Sequence, residues 1–259
     1  MNMQPQKAKG KFVRYQPSII TYVDILGFRR LVQTKQAGEI SRILRVVKET
    51  VAPGKELSEL LDFRIQHFSD LTVRVLPIVT GSRGHGDVFA ELLSLVYVQK
   101  ELIETGILVR GSIMFGDIVT SWGLLYGPGL IRAYELEQEA VFPKIIVDHN
   151  LLRELRRNPS LRGSEHDYKM EMEHINKLIR KDSDNSYFVD YLRAVESEFN
   201  DPEVGYPHFL NTHKNEIVRG LNEFKLDKRV LRKYRWLKAY HNSTVKNRFA
   251  SHIARRYII

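Results

Sequence analysis

The sequence predicts an α+β fold: a mostly antiparallel sheet with helices, followed by a C-terminal helical extension. Three observations predict it. Short β-branched and aromatic runs recur through the first 150 residues. Stretches of helical spacing separate them. Beyond residue 150 the chain turns charge-rich and poor in strand formers. The expected organisation is a basic N-terminal segment over 1–17, a sheet-containing domain over 18–150 and a mostly helical basic extension over 151–259.

Each element follows from its residues. Residues 18–24 read as a strand closed by "LG". Residues 29–51 carry apolar side chains at helical spacing, and "APGK" ends that helix. "FRIQHF" (63–68) and "LTVRVLP" (71–77) read as two strands around a tight turn at Ser69-Asp70, the second with period-2 alternation. "TGSRGHGD" is a loop, and a helix over about 87–105 stops at Gly106. "ILVRGSIMFGDIVTS" (107–121) reads as a hairpin or two consecutive strands hinged at "FGD". "WGLLYGPG" is a glycine-rich loop, "LIRAYELEQEAV" a helix and "KIIVD" (144–148) a strand. In the extension, "SYFVDYL" (186–192) is a short apolar segment and 208–254 is mostly helical by spacing.

Composition narrows the chemistry. The 259 residues are 43% hydrophobic, enough for a real core. With no cysteine, disulfides, thiolate zinc sites and cysteine nucleophiles are excluded, which fits a reducing, cytoplasmic setting. "MNMQPQKAKGKF" has no apolar signal core, and no apolar stretch approaches the ~20 residues that span a bilayer. The net charge of +9 is uneven. Residues 225–259 hold eleven Lys and Arg against one Asp, a net of +10, and residues 1–50 carry +7. Such stretches suit nucleic acid or a polyphosphate, but more often are simply a solvated helical face.

Two acids stand out. Asp24 sits in the apolar run "ITYVDILGF", where an unpaired charge is costly. Asp70 sits at the tip of the hairpin. If those strands are neighbours, the two carboxylates meet at one sheet edge and repel unless a proton or divalent cations neutralise them. Two magnesium ions would do so, and such sites serve phosphoryl chemistry. The "ILGF" amides at a helix start suit phosphate, and Arg29 and Arg30 follow. Individually, Asp24 is also a plausible helix cap and Asp70 a turn residue. His67, His85, Tyr234, Trp236 and Tyr240 read as structural.

"YVDILGF", "FSDLTV", "RGSIMFGDIV" and "YGPGLIRAYELE" together resemble the class III nucleotide cyclases. The likeness covers roughly residues 18–150, in the family's order and spacing. It implies that Asp24 and Asp70 bind two divalent cations, Mg2+ or Mn2+, with the Ile25 carbonyl as a further ligand. It implies a triphosphate cradle at Leu26, Gly27, Phe28 and Arg29. The reaction would be attack of the ribose 3′-hydroxyl on the α-phosphate, in a homodimer with sites between subunits.

The departures carry information too. The family's transition-state Asn and Arg correspond to Ile131 and Glu135, so Arg132 is the expected replacement cation, with Arg110 or a tail arginine as alternatives. The base-reading positions hold Gln66 and Leu124 in place of a lysine and an acid or hydroxyl. This altered set is similar to the bacterial pyrimidine cyclases of Pycsar anti-phage systems, which signal to a cyclic-nucleotide-responsive effector. UTP conversion to cyclic UMP is the leading expectation. Alternatives are CTP, a nucleotide sensor without turnover, or a basic nucleic-acid-binding module. Nucleic acid and membrane are not expected as partners.

Overall fold

The computed structural model describes residues 13–54, 62–78, 87–121 and 123–259; His85 and the "GSRGHG" loop lie outside them. Its centre is one sheet, built from β1 (Gln16–Ile25), β2 (Arg64–Phe68), β3 (Leu71–Pro77), β4 (Val109–Ser121), β6 (Ile145–Val147), β7 (Ile179–Lys181) and β8 (Tyr187–Val189). The strand order is β2-β3-β1-β4-β6-β8-β7, with β5 (Leu124–Tyr126) pairing to β4 off that path. Every pairing is antiparallel except β4 with β6. The architecture is therefore α+β with a mostly antiparallel sheet.

Period-2 alternation splits β1 between two cores. Ile19, Val23 and Ile25 join the larger one, with side chains from α1 (Phe28–Thr34), α2 (Ala37–Val51) and α3 (Asp87–Glu104). Ile20 and Tyr22 face the smaller one, under α4 (Pro128–Glu139). The larger side also buries ions. Arg74 on β3 pairs with Glu91 of α3 at 2.6 Å, both 1% exposed, and Glu91 accepts from the Thr21 hydroxyl at 2.5 Å. A buried charge needs such a partner.

The extension is part of the same body. Residues 179–189 add β7 and β8 to the sheet beyond β6. Leu151 of α5 (His149–Arg157), Ile175 of α6 (Tyr168–Leu178) and Leu192 of the short α7 (Tyr191–Ala194) enter the larger core. So do Phe209 of α8 (Pro202–Glu223), Leu237 of α9 (Lys228–Arg248) and Ala254 of α10 (Ser251–Ala254).

Four local expectations change. The helix expected over 29–51 is two, α1 and α2, broken at Lys35–Gln36; the Gln36 amide donates to Glu39 at 3.2 Å and starts the second. The segment 107–121 is neither hairpin nor two strands but one strand that runs straight through Gly116-Asp117. Part of the expected glycine-rich loop is β5, which hairpins back on Val119–Ser121. The extension contains two strands besides its helices, each three residues long and set by long-range pairing.

Candidate active site

The sheet register brings the two acids together. Asp24 lies opposite Leu71 on β3 and opposite Arg110 on β4. Asp70 immediately precedes Leu71, and its carbonyl accepts from the Ile25 amide at 3.3 Å. The hairpin turns tightly because Ser69 adopts a left-handed conformation, φ 57°. On β4, Gly111 lets the strands close up: a Cβ there would stand 2.1 Å from the Tyr22 carbonyl oxygen.

Around Asp24 the side chains form a charged knot on the α4 side of the sheet. Arg110 Nε donates to Asp24 Oδ2 at 3.2 Å and lies 2.6 Å from Glu137 Oε1. Asp24 is only 17% exposed and Glu137 2%. Burial pushes the Asp24 carboxyl up to about 7, Asp70 adds to the rise, and Arg110 opposes it. Burial also raises Glu137, against Arg110. From the extension, Lys233 of α9 feels the same knot. Burial, then Arg110 and Arg229, lower its ammonium, while Asp24 acts the other way.

The strand end leads into a loop. The Leu26 amide donates to the Leu108 carbonyl at 2.8 Å, so it is already committed. Gly27 has φ +82°, a conformation that favours glycine, and α1 starts there with no side-chain cap. Phe28 packs against the larger core, and Arg29 is exposed.

The remaining expected site residues sit elsewhere. Gln66 lies on β2, two strands and two residues from Asp24, roughly 12 Å across the sheet. Its amide donates to the Gly123 carbonyl at 3.2 Å. Gln66 and the exposed Leu124 share a shallow cavity of about 360 Å³ with Arg64 and Thr120. Arg132 is half-buried on α4 and pairs with Glu135 at 3.5 Å and Glu139 at 3.3 Å. It makes no ion pair with Asp24 or Asp70 within the described chain. His67 bonds to Thr72 at 2.9 Å, and Tyr240 is buried, as structural roles require.

Glu137 and Lys233 escaped the sequence reading. Glu137 had a legible signal: Leu130, Ala133 and Glu137 share the inward stripe of α4, so an acid there must find a partner. Lys233 had none, because its approach depends on packing between distant segments.

The carboxylate pair suits a cation. Asp24 is held partly protonated near neutrality by lost solvent and a neighbouring acid, and divalent charge relieves both. Asp24, Asp70 and the backbone at Ile25 are the donors that would hold it. Among the described residues no group of three or more His, Cys, Asp or Glu side chains gathers around one point, so backbone, water or substrate oxygens must complete any coordination.

Neither the protein-family models nor the curated proteins include a match. Solved structures similar to this chain include the adenylyl cyclase CyaB from P. aeruginosa, at 13% identity and TM-score 0.47, covering 68% of this chain and 95% of that one. The guanylyl cyclase Cya2 is similar at 14% identity and TM-score 0.41, covering 54% and 79%. A guanylyl cyclase domain of the RhoGC fusion protein from the aquatic fungus Blastocladiella emersonii is similar at 12% identity and TM-score 0.43, covering 67% and 93%. Likenesses this distant decide nothing about activity; the chain's own residues must carry that.

Proposed function

We propose that this chain is a metal-dependent nucleotide cyclase that converts UTP to 3′,5′-cyclic UMP and pyrophosphate. The observation that carries the reading is the convergence of Asp24 and Asp70 at one sheet edge, with the Asp24 carboxyl raised to about 7. The ordered sequence motifs support it independently. In the reaction the ribose 3′-hydroxyl gives up its proton to water and its oxygen bonds to the α-phosphorus as the bond from that phosphorus to the pyrophosphate oxygen breaks. Divalent cations bound at the pair would supply charge stabilisation and activate the attacking hydroxyl.

The chain's own residues do the rest. Asp24 and Asp70 would hold the cations that meet the charged end of the substrate at the sheet edge. Of the cations weighed for the developing negative charge, Arg110 is the one seated at the carboxylates, held there by Glu137. Arg132 faces acids of its own helix, which favours Arg110 for that role. With the Leu26 amide committed, the phosphate cradle narrows to Gly27, Phe28 and Arg29. Gln66 and Leu124 line the shallow cavity proposed for the base. Pairing of two chains, each giving one end of the site, suits the separation between that cavity and Asp24. Signalling to an anti-phage effector belongs to this proposal as its biological setting.

Ile131, exposed where the resemblance expects a transition-state Asn, favours a second reading, a sensor that binds nucleotide without turnover. One experiment separates them. The protein is incubated with Mn2+ and UTP, CTP, ATP or GTP, singly and in equal mixture, and pyrophosphate and cyclic products are measured. Dominant cyclic UMP is expected. Dominant cyclic CMP overturns the choice of base, a purine product overturns the pyrimidine assignment, and binding without pyrophosphate establishes the sensor.

A further inference from the structure

Beside the carboxylate pair lies a cavity of about 640 Å³, within the range of small-molecule sites. The β1 end at Ile25–Gly27, helices α1 and α2, and the loop before β4 form one side, and helices α8 and α9 of the extension close the other. Its walls are apolar: Leu31, Ile43, Val46, Ile107, Phe224 and Tyr234. Phe224 and Tyr234 stack with centroids 5.5 Å apart.

Its charges are unbalanced. Arg30, Lys35, Arg42, Arg219 and Lys233 line it, against Glu39 and Glu223. Three of the cations have partners. Arg30 reaches Glu223 at 3.9 Å and Asp227 at 3.8 Å, Lys35 meets Glu39 at 3.1 Å, and Arg219 pairs with Glu216. Arg42, exposed, and Lys233, partly buried, make no ion pair among the described residues, although Arg42 acts on Glu39, and Asp24 and Asp227 act on Lys233, without contact. A partly buried cation on an apolar cavity is unfavourable until an anion meets it.

An occupant must therefore satisfy two demands at once. A neutral apolar molecule would leave Lys233 and Arg42 unpaired. Inorganic phosphate would leave the aromatic and aliphatic walls wet. A small organic anion, an acyl or aromatic body carrying an acid group, satisfies both. We propose that this cavity is a regulatory site for such an anion. Its occupant abuts Ile25–Gly27, the strand end that carries Asp24. It also touches the contact in which Arg30 of α1 lies 4.3 Å over the ring of Phe224, the residue that caps α8. Binding stiffens the joint between the carboxylate strand and the extension. The regulatory half rests on the cyclase reading above; the binding half does not.

The test uses the full chain and anilinonaphthalene sulfonate, an aromatic anion that fluoresces when shielded from water. A saturable, one-site rise in fluorescence is expected. Arg42→Glu should weaken it about tenfold, the scale of reversing one charge near the surface. Val46→Trp should abolish it by filling the cavity. If Val46→Trp misfolds, Arg42→Glu, at an exposed position, still decides. Displacement by decanoate identifies an acyl ligand and displacement by benzoate an aromatic one. Displacement by pyrophosphate alone, fluorescence that never saturates, or equal affinity in wild type and Arg42→Glu overturns the site. Pyrophosphate release from UTP is then followed with the probe at saturation. A changed rate supports regulation and an unchanged rate refutes it. Wild-type protein that releases no pyrophosphate from any triphosphate sinks the cyclase reading, and the regulatory half with it, while the binding result stands.

Discussion

Replacing Asp24 by Asn should make the metal-free protein more stable at alkaline pH and less able to use metal. In the folded chain the Asp24 carboxyl is held up at about 7, against an ordinary 3.8, first by burial and then by Asp70. A raised carboxyl favours folding while protonated, and that advantage is lost as pH rises through the folded value. At about 1.4 kcal/mol per pKa unit, the full cost above pH 7 is on the order of 4 kcal/mol. Roughly 2–3 kcal/mol of it develops between pH 5 and pH 8. The carboxyl is mostly enclosed, so solvent screening removes little of this. Asn keeps the shape but cannot ionise, so the variant lacks this component.

Urea unfolding in EDTA at pH 5 and pH 8 reads the difference directly. Wild type should lose roughly 2–3 kcal/mol more than Asp24→Asn across that interval. Adding Mn2+ at pH 8 should then stabilise wild type and leave the variant almost unmoved, since binding to the native state adds stability. Equal pH slopes in the two proteins would refute the raised carboxyl. Equal stabilisation by Mn2+ would refute Asp24 as a ligand.

Four further outcomes are expected. Asp70→Ala should cut pyrophosphate release from UTP at least a hundredfold, a magnitude suited to loss of metal-held charge stabilisation, while the protein still melts cooperatively and, in EDTA above pH 7, slightly higher, because Asp24 loses its repelling neighbour. Glu137→Gln should leave Arg110 with Asp24 as its one ion-pair partner among the described residues, lowering turnover about tenfold and costing ~1–3 kcal/mol in urea unfolding. Leu237→Ala should cost ~2–5 kcal/mol in a single unfolding transition, because that fully buried side chain ties α9 into the sheet's own core; two separate transitions would show the extension folding alone. Filter binding to duplex DNA should be weak at physiological salt; tight, steeply salt-dependent retention would restore the nucleic-acid-binding alternative.

What was legible in the sequence was local. The β1 run, the β2–β3 hairpin and the acid at each strand end follow from alternation and turn chemistry, and the register then delivers Asp24 to Asp70. The break between α1 and α2 hid because Lys35 and Gln36 carry no proline or glycine signal. The continuity of β4 hid for the opposite reason. Gly116 looks like a hinge, yet it stays in the strand, where a Cβ would press within 3.1 Å of Gly129 at the start of α4. There glycine serves close packing, and composition alone does not distinguish that from a turn. Strands β7 and β8 are three residues each, too short for any period to register.

The basic tail shows why charge counts and charge placement are separate questions. Helix α9 is seated by Leu237, Tyr240 and Val245, all buried, and by the Tyr240 hydroxyl, which donates to Asp190 at 2.8 Å. Two of its cations have local partners: Arg232 lies 5.5 Å from the Phe142 ring centroid, and Arg248 meets Glu196 at 2.5 Å. Neither needs an outside partner. Lys233 differs because the apolar face of its helix fixes where it must point. With Leu237 one turn further on and fully buried, Lys233 is carried onto the cavity wall and into the field of Asp24 and Arg110. Packing of the helix sets that position: Asp24 and Asp227 act on Lys233 without an ion pair, so an anion entering the cavity would be the first counter-charge in contact with it.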